Sequence, residues 1–465
     1  MQYDLVIENG DVLLPGAEPQ KLNVAVRGGK IAALLKPDES PDALRRIDAT
    51  GLTVLPGVLD VHLHLGHGAD IARPRVPEDA AQETAAAAIG GVTTIIPYLM
   101  GSEDFAESFE SVVATTTAGA RVDFSYHPII STEEQLARVP YYISEFGTPS
   151  FKIFMNNRAG EGARLGLPDI DDGFFYRLAS LCAEHGGMVC PHPENIEVVH
   201  VLRKKAMAED PEGKSGLAGW NASRPPFVEA DAIQRAGILA KAAGAPLYVV
   251  HTSSAEALEA AIRVREAGTD ITIETCPHYL THDVTWEGGD VGKINPPLRE
   301  KDDCEALWAG IALGVIDTVA TDHVHRDVLA KAGGIWKASP GCPGMETLLP
   351  VMLSEGHVKR GIPLSRIIDL LCEKPAKAMG LWGTKGAILP GFDADFAIVD
   401  TNAAWRVSNE EVKSSAGYSI YNGWPLTGKV VHTLVRGTAV VENGALVEDT
   451  AGTGRYLKRS LHSGN

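Results

Sequence analysis

The sequence predicts an α/β protein: a (β/α)8 TIM barrel with a small β-sandwich-like domain formed from both chain termini. Two observations predict it. Residues 1–52 and 387–465 share one pattern of short alternating strands and tight turns, and residues 53–386 alternate apolar strands with amphipathic helices. A third observation concerns function: polar residues suited to bind cations recur at the carboxyl ends of the predicted strands, the end of such a barrel where active sites lie.

The N-terminal part reads as YDLVIENGDVLL and KLNVAVRGGKIAAL, with Glu8-Asn9-Gly10 and Gly28-Gly29 as turns. The same grammar returns in DADFAIVD and VVHTLVRGTAVVENGALVED, so one domain built from both ends is the economical reading. In the middle, strands are predicted over 58–65, 92–98, 122–130, 151–155, 188–191, 247–251, 271–274 and 317–321. Helices are predicted over 78–89, 172–185, 230–243 and 255–267, each running into glycine, as a helix C-terminus often does.

Composition narrows the function classes. With 465 residues, 45% of them hydrophobic, there is ample core for a large folded enzyme. A formal net charge of -18 and no Lys/Arg cluster exclude a nucleic-acid partner. Six scattered cysteines without a CxxC pair, an acidic N-terminus unlike a secretory signal, and no apolar run of membrane-spanning length predict a cytoplasmic protein with reduced thiols and no membrane partner.

The cation-binding candidates are His62, His64, Lys152, His192, His251 and Asp322. His62 and His64, two apart on a strand, place both rings on one face; taken alone they read equally well as polar residues of a half-exposed strand. His192 and His251 each end an apolar strand, and Asp322 ends the last, where its carboxylate can bind a metal or take a proton from water. Lys152 in SFKIFM lies among apolar neighbours, where an ammonium is costly. Burial favours the neutral amine, which can capture carbon dioxide; the N-carboxylated lysine is then a two-oxygen ligand able to bridge two cations. The alternative is an ion pair with a neighbouring carboxylate. Imidazole and carboxylate ligands without thiolate suit two divalent metal ions, zinc first, with manganese, cobalt or iron as substitutes. Two such ions about 3.5–4 Å apart supply hydroxide at neutral pH.

At these motifs the chain resembles the cyclic amidohydrolases of the amidohydrolase superfamily, which include hydantoinase, dihydropyrimidinase, allantoinase and dihydroorotase. The likeness runs through PGVLDVHLHL, GGVTTII, SFKIFM, HPEN, VVHTSSAEAL, ETCPHYLTHD, KINPPLR, TDH, KPAKAMGL and KGAILPGFDADFAIVD, in the family's order. It implies His62, His64 and Asp322 on one metal, His192 and His251 on the other, and carboxylated Lys152 between them. It further implies hydrolytic opening of a small cyclic amide, imide or ureide of hydantoinase or dihydropyrimidinase type, with Asp322 carrying the proton to the leaving nitrogen, in a homodimer or homotetramer. Allantoinase-like and dihydroorotase-like hydrolysis are the enzymatic alternatives. A scaffold of the dihydropyrimidinase-related kind that has lost its metals is the alternative of another class, against which all six ligand positions stand intact.

Departures from the family surround the ligands. Gly66 stands where dihydroorotases carry a carboxylate-binding arginine, Asn157 where D-type hydantoinases carry an oxyanion-binding tyrosine, and Pro340 where an asparagine contacts substrate. L-type hydantoinases also lack the tyrosine. Asn157, Asn295 and His67 are the substrate-contact candidates. His67 stands in a polar loop with Asp70, Arg73 and Arg75 that reads alternatively as solvated surface. His278 is expected to support the site without binding metal.

Overall fold

The computed structural model describes residues 2–461. Nine strands form one sheet hydrogen-bonded along a continuous path: Ala445–Leu446, Thr438–Glu442, Pro425–Val435, Phe396–Arg406, Thr53–Pro56, Tyr3–Val12, Gln20–Arg27 and Lys30–Leu35, with Ala43–Asp48 on the other flank of Tyr3–Val12. The two chain ends therefore meet in one sheet. Thr53–Pro56 is the strand that joins them, antiparallel to Phe396–Arg406 and parallel to Tyr3–Val12. Apolar alternation explains its core, where Leu5, Ile7, Val24, Val26, Phe396, Ile398 and Leu434 pack together.

Gly28 and Gly29, at φ 60° and 74°, make the two-residue turn between Gln20–Arg27 and Lys30–Leu35 that the sequence predicts. Glu8-Asn9-Gly10 does not turn the chain. Tyr3–Val12 runs straight through it, with a register shift between Ile7 and Gly10 and Asn9 at φ 64°. The segment is a bulge: asparagine tolerates the left-handed conformation, so the extra residue is absorbed without ending the strand.

The middle of the chain carries two parallel sheets. One has Ser150–Phe154, Met188–His192, Leu247–Val249, Ile271–Thr275 and Thr318–Val319 in sequence order; the other has His323–Val324, Val58–His64, Val92–Leu99 and Asp123–Phe124, with His127–Pro128 also on Val92–Leu99. Every residue of Val58–His64 and Val92–Leu99 is buried, as expected for strands covered on both faces. An isolated parallel bridge from Ile129 to Lys152 links the two sheets, and residues 320–322 alone separate Thr318–Val319 from His323–Val324. The strand expected over 122–130 is two short pieces.

Helices Pro77–Ile89, Asp172–His185, Pro226–Ala243 and Ala255–Glu266 match the four predicted. Gly186 and Gly244 close two of them at φ 75° and 76°, which a residue with a Cβ rarely adopts. No helix among the described residues is long and apolar enough to cross a membrane.

A buried ionic cluster fastens the terminal sheet to the parallel strands. Lys385 Nζ lies 2.6 Å from Asp123 and from Asp395 and 2.9 Å from Asp393, and Arg436 also pairs with Asp123. The three carboxylates are close enough to share a cation, but the Lys385 ammonium already lies among them, so the cluster reads as a structural joint. Lys385→Met should leave these carboxylates buried without their common partner and lower stability by about 3–5 kcal/mol. Urea denaturation would show this as a lower midpoint, and an unchanged midpoint would mean the joint contributes nothing.

Candidate metal centre

The fold gathers the six predicted ligands at the carboxyl ends of the parallel strands. His62 and His64 lie on Val58–His64, Lys152 on Ser150–Phe154, and His192 ends Met188–His192. His251 follows Leu247–Val249, and Asp322 occupies the break before His323–Val324. All are buried, from 0% exposed for His62 to 8% for Asp322. Five of them line one cleft, and His62 lies beside it with Nε2 3.1 Å from Asp322 Oδ1.

Two of these residues hold strained backbones, His251 at φ 41° and Asp322 at φ 47°. Local hydrogen bonds hold both in place. The His251 amide donates to Glu274 Oε1 at 2.8 Å. The Asp322 amide donates to the His62 carbonyl at 2.8 Å, and the adjacent Thr321 amide donates to Asp60 Oδ1 at 3.1 Å. The twist turns each side chain at the strand end, where a regular strand would have carried it onward.

Buried carboxylates set the ring orientations. Glu274 Oε1 binds His62 Nδ1 at 2.5 Å, leaving Nε2 toward Asp322; Glu194 Oε2 binds His192 Nε2 at 2.7 Å, leaving Nδ1 2.9 Å from His251 Nε2. Carboxylates behind imidazoles are the usual means of fixing the tautomer of a metal ligand. Among the described residues, His62 Nε2, His64 Nδ1 and His251 Nδ1 are buried without a hydrogen-bond partner. Unsatisfied buried nitrogens are costly, and cations between them would remove that cost.

Electrostatics agree with a cation site. Burial pushes His64 down to about 3 and lowers His192 and His251, so these rings are neutral, as ligands must be. Burial also works against His62, yet Glu274 and then Asp322 hold it up at about 9. Burial would raise Asp322, but His62 and His64 keep it ionised well below the carboxylate range. Burial brings Lys152 down to about 8 against the pull of Asp322 and Glu274. Its Nζ sits 4.6 Å over the Tyr98 ring, and no carboxylate lies within ion-pair distance among the described residues. The ion pair weighed against carboxylation is thus missing.

Asn157 and Asn295 also line the cleft, and Asn295 Oδ1 is buried without a partner. His67 is not brought there. Its side chain is 48% exposed and turned to Asp79 at 3.0 Å, while Arg75 pairs with Asp70 and Arg73 with Glu103. The charged groups of that loop are taken up by one another or by Glu103, and it is apolar Ile71 that faces the cleft. Gly66 has a steric reason: a Cβ there would lie 2.0 Å from the Asp70 carbonyl oxygen, so no arginine fits. His278 is buried against Tyr279 outside the cleft lining. Sequence reasoning missed Glu274, Glu194, Arg164 and Arg326. Glu274 was detectable, since it nears the end of a buried strand as the ligands do; the arginines lie in loops without pattern.

The fold and this cluster define a class. Residues 240–440 match the family model of the amidohydrolase family, and the chain belongs to that family. The allantoinase of Escherichia coli (strain K12) is 32% identical over 453 residues, covering 95% of this chain and 96% of that protein. The L-hydantoinase of Paenarthrobacter aurescens is 32% identical over 471 residues, covering 98% of each. A D-hydantoinase crystal structure superposes with a TM-score of 0.88 at 32% identity, covering 99% of each chain, and the dihydropyrimidinase of Brevibacillus agri with 0.88 at 30%, again covering 99% of each. The chain has the amidohydrolase fold, and its neighbours in sequence and structure are hydantoinase- and dihydropyrimidinase-like, with allantoinases equally near.

Glu274→Gln keeps the volume and removes the carboxylate behind His62. It is expected to weaken zinc binding by about 10- to 100-fold, measured by competition with a chromogenic chelator. Wild-type affinity in the variant would show that Glu274 only packs.

Proposed function

We propose that this chain opens a small cyclic amide, ureide or imide ring by hydrolysis, as a hydantoinase- or dihydropyrimidinase-type enzyme. The observation that carries the reading is the convergence of six buried residues at and beside one cleft, with His62 Nε2, His64 Nδ1 and His251 Nδ1 lacking a hydrogen-bond partner among the described residues. In this reading His62, His64 and Asp322 hold one divalent cation, His192 and His251 a second, and N-carboxylated Lys152 both. Zinc fits this nitrogen and oxygen donor set; a binuclear centre is general in the family. Bound there, the ions would supply Lewis acidity and water activated at neutral pH.

The chain's own residues supply the rest. Asp322, ionised and at the cleft, accepts the proton of the attacking water and delivers it to the ring nitrogen as the C–N bond breaks. Asn157 and Asn295 offer amide hydrogen bonds to the ring and to the oxygen that gains charge; His67 reaches substrate only if its loop moves. Ile71, Phe154, Leu165 and Val324 give the cleft apolar walls for a flat ring.

The same proposal includes the closed architecture. The bridge from Ile129 to Lys152 and the continuity of 318–319 with 323–324 support a single (β/α)8 barrel. The terminal domain comprises 1–52 with 387–465 and the hydrogen-bonded strand Thr53–Pro56. A homodimer or homotetramer in the cytoplasm belongs to the reading too, supported by six free, buried cysteines as far as a reducing compartment is concerned. A second reading, ring opening of allantoin, is favoured by the equal identity to the allantoinase relatives. The dihydroorotase reading loses its arginine to the crowding at Gly66.

Metal-loaded enzyme should open at least one member of a panel of hydantoins in both enantiomers, dihydropyrimidines, cyclic imides and allantoin. Asp322→Asn should lower kcat on that substrate by about 10²- to 10⁴-fold, and a panel left wholly unopened would remove the reading. Protein grown with ¹³C-bicarbonate should show a carbamate carbon by NMR that Lys152→Arg lacks; its absence from metal-loaded wild type would leave Lys152 an unmodified amine.

A further inference from the structure

One stretch of the cleft wall carries two arginines that form no ion pair among the described residues, although Glu161 lines the same cleft and is engaged elsewhere. Arg326 is only 9% exposed, lines the cleft, and donates one hydrogen bond, to the Pro340 carbonyl at 3.2 Å. No carboxylate lies within ion-pair distance of it among the described residues. Arg164 lines the same cleft from the turn Glu161–Leu165 and makes neither ion pair nor hydrogen bond among the described residues. Glu161, the acid nearest in sequence, is already held by Arg203 at 3.0 Å, Arg224 at 3.1 Å and His200 at 3.1 Å.

The charge continues behind the wall. Lys331 Nζ, buried, donates to the carbonyls of Lys293, at 3.0 Å, and of Gly341. Lys293 Nζ donates to the Trp336 carbonyl at 3.3 Å and sits 4.1 Å over the Trp220 ring. Neither lysine has a carboxylate partner among the described residues. Burial, and then Arg164 on the same cleft, pull Arg326 down to about 10 against the opposing effect of Asp70, which leaves it charged at neutral pH. Buried cations without counter-charge are unfavourable unless an anion is expected. A guanidinium fork with four of its five N–H groups free matches a carboxylate in two-point contact.

We infer that Arg326 and Arg164 form an anion subsite of the cleft, so that the ring opened here carries a carboxylate substituent. This rests on the ring-opening reading for the word substrate, while the subsite is testable alone. The subsite's position differs from that of Gly66, where no side chain fits.

Binding to metal-loaded protein is measured by calorimetry with 3-oxocyclopentaneacetate and with its neutral amide, rings that hold no scissile C–N bond. The carboxylate should bind about 10- to 100-fold more tightly than the amide. That preference should shrink by about tenfold in Arg326→Gln and fall in Arg164→Gln, whose exposed position makes misfolding no explanation. In parallel, kcat/KM for 5-carboxymethylhydantoin over its carboxamide should fall in the same variants, through KM. Equal binding of the two rings by wild type, or a preference that survives both substitutions, would overturn the inference. An arginine-dependent preference with every ring in the panel unopened would retain the subsite and discard the reaction.

Discussion

The candidate centre depends on the carboxylate of Glu274, wholly buried near the end of Ile271–Thr275. One oxygen takes both the His62 ring at 2.5 Å and the His251 amide at 2.8 Å; the other takes the Tyr248 hydroxyl at 2.8 Å. Two other strands are thereby tied to the strand of Glu274. A buried carboxylate accepts only donors, so His62 must present Nδ1–H to it and keep Nε2 for the cleft. The same acceptor stabilises the left-handed His251 backbone, which a histidine adopts only at a cost.

With the rings fixed, the electrostatics follow. Burial alone would make every titratable group here neutral, and for His64, His192 and His251 it does. Asp322 escapes because His62 and His64 face it. The result is three neutral imidazoles, His64, His192 and His251, beside an ionised carboxylate and a lysine that gives up its proton more readily than a surface lysine. Carbamate formation requires the free amine, so in the proposed reading Lys152 is the residue suited to supply an anionic ligand between two cations. Solvent-exposed versions of these residues would have ordinary protonation and no such coupling.

Much of this was legible in the sequence because it rests on short-range rules. Period-two apolar strands, helices ending at glycine, and polar residues ending apolar runs located the six residues that the fold gathers at the cleft, and the turn at Gly28-Gly29 followed from two adjacent glycines. Errors arose where a local signal had a tertiary answer. Asn9-Gly10 has turn chemistry, but the partner strand absorbs it as a bulge. His67 directly follows Gly66 in a polar loop, and its ring is turned to Asp79 rather than to the cleft. Glu274 and Glu194 escaped notice because an acid near a strand end has no sequence mark separating a ring-orienting role from a cap. Arg164 and Arg326 are adjacent only through the fold.

The placement of those arginines bears on how a family with one metal machinery divides its substrates. A positive charge at residue 66 would approach the ring from the first strand's loop, and the carbonyl of Asp70 closes that route. Arg326 enters four residues after Asp322, from the loop that follows the last parallel strand. The charge therefore comes from the chain segment that also carries Asp322, the proposed proton carrier, with the Pro340 carbonyl accepting from the guanidinium. A ring anchored by its carboxylate at Arg326 is oriented relative to Asp322 by a short stretch of backbone whose strain at φ 47° resists adjustment. Such an anchor constrains which carbonyl faces the centre, and so selects the bond broken as well as the ring admitted. The residues proposed to hold metal cannot make that selection, since the ions they would bind polarise any carbonyl brought to them.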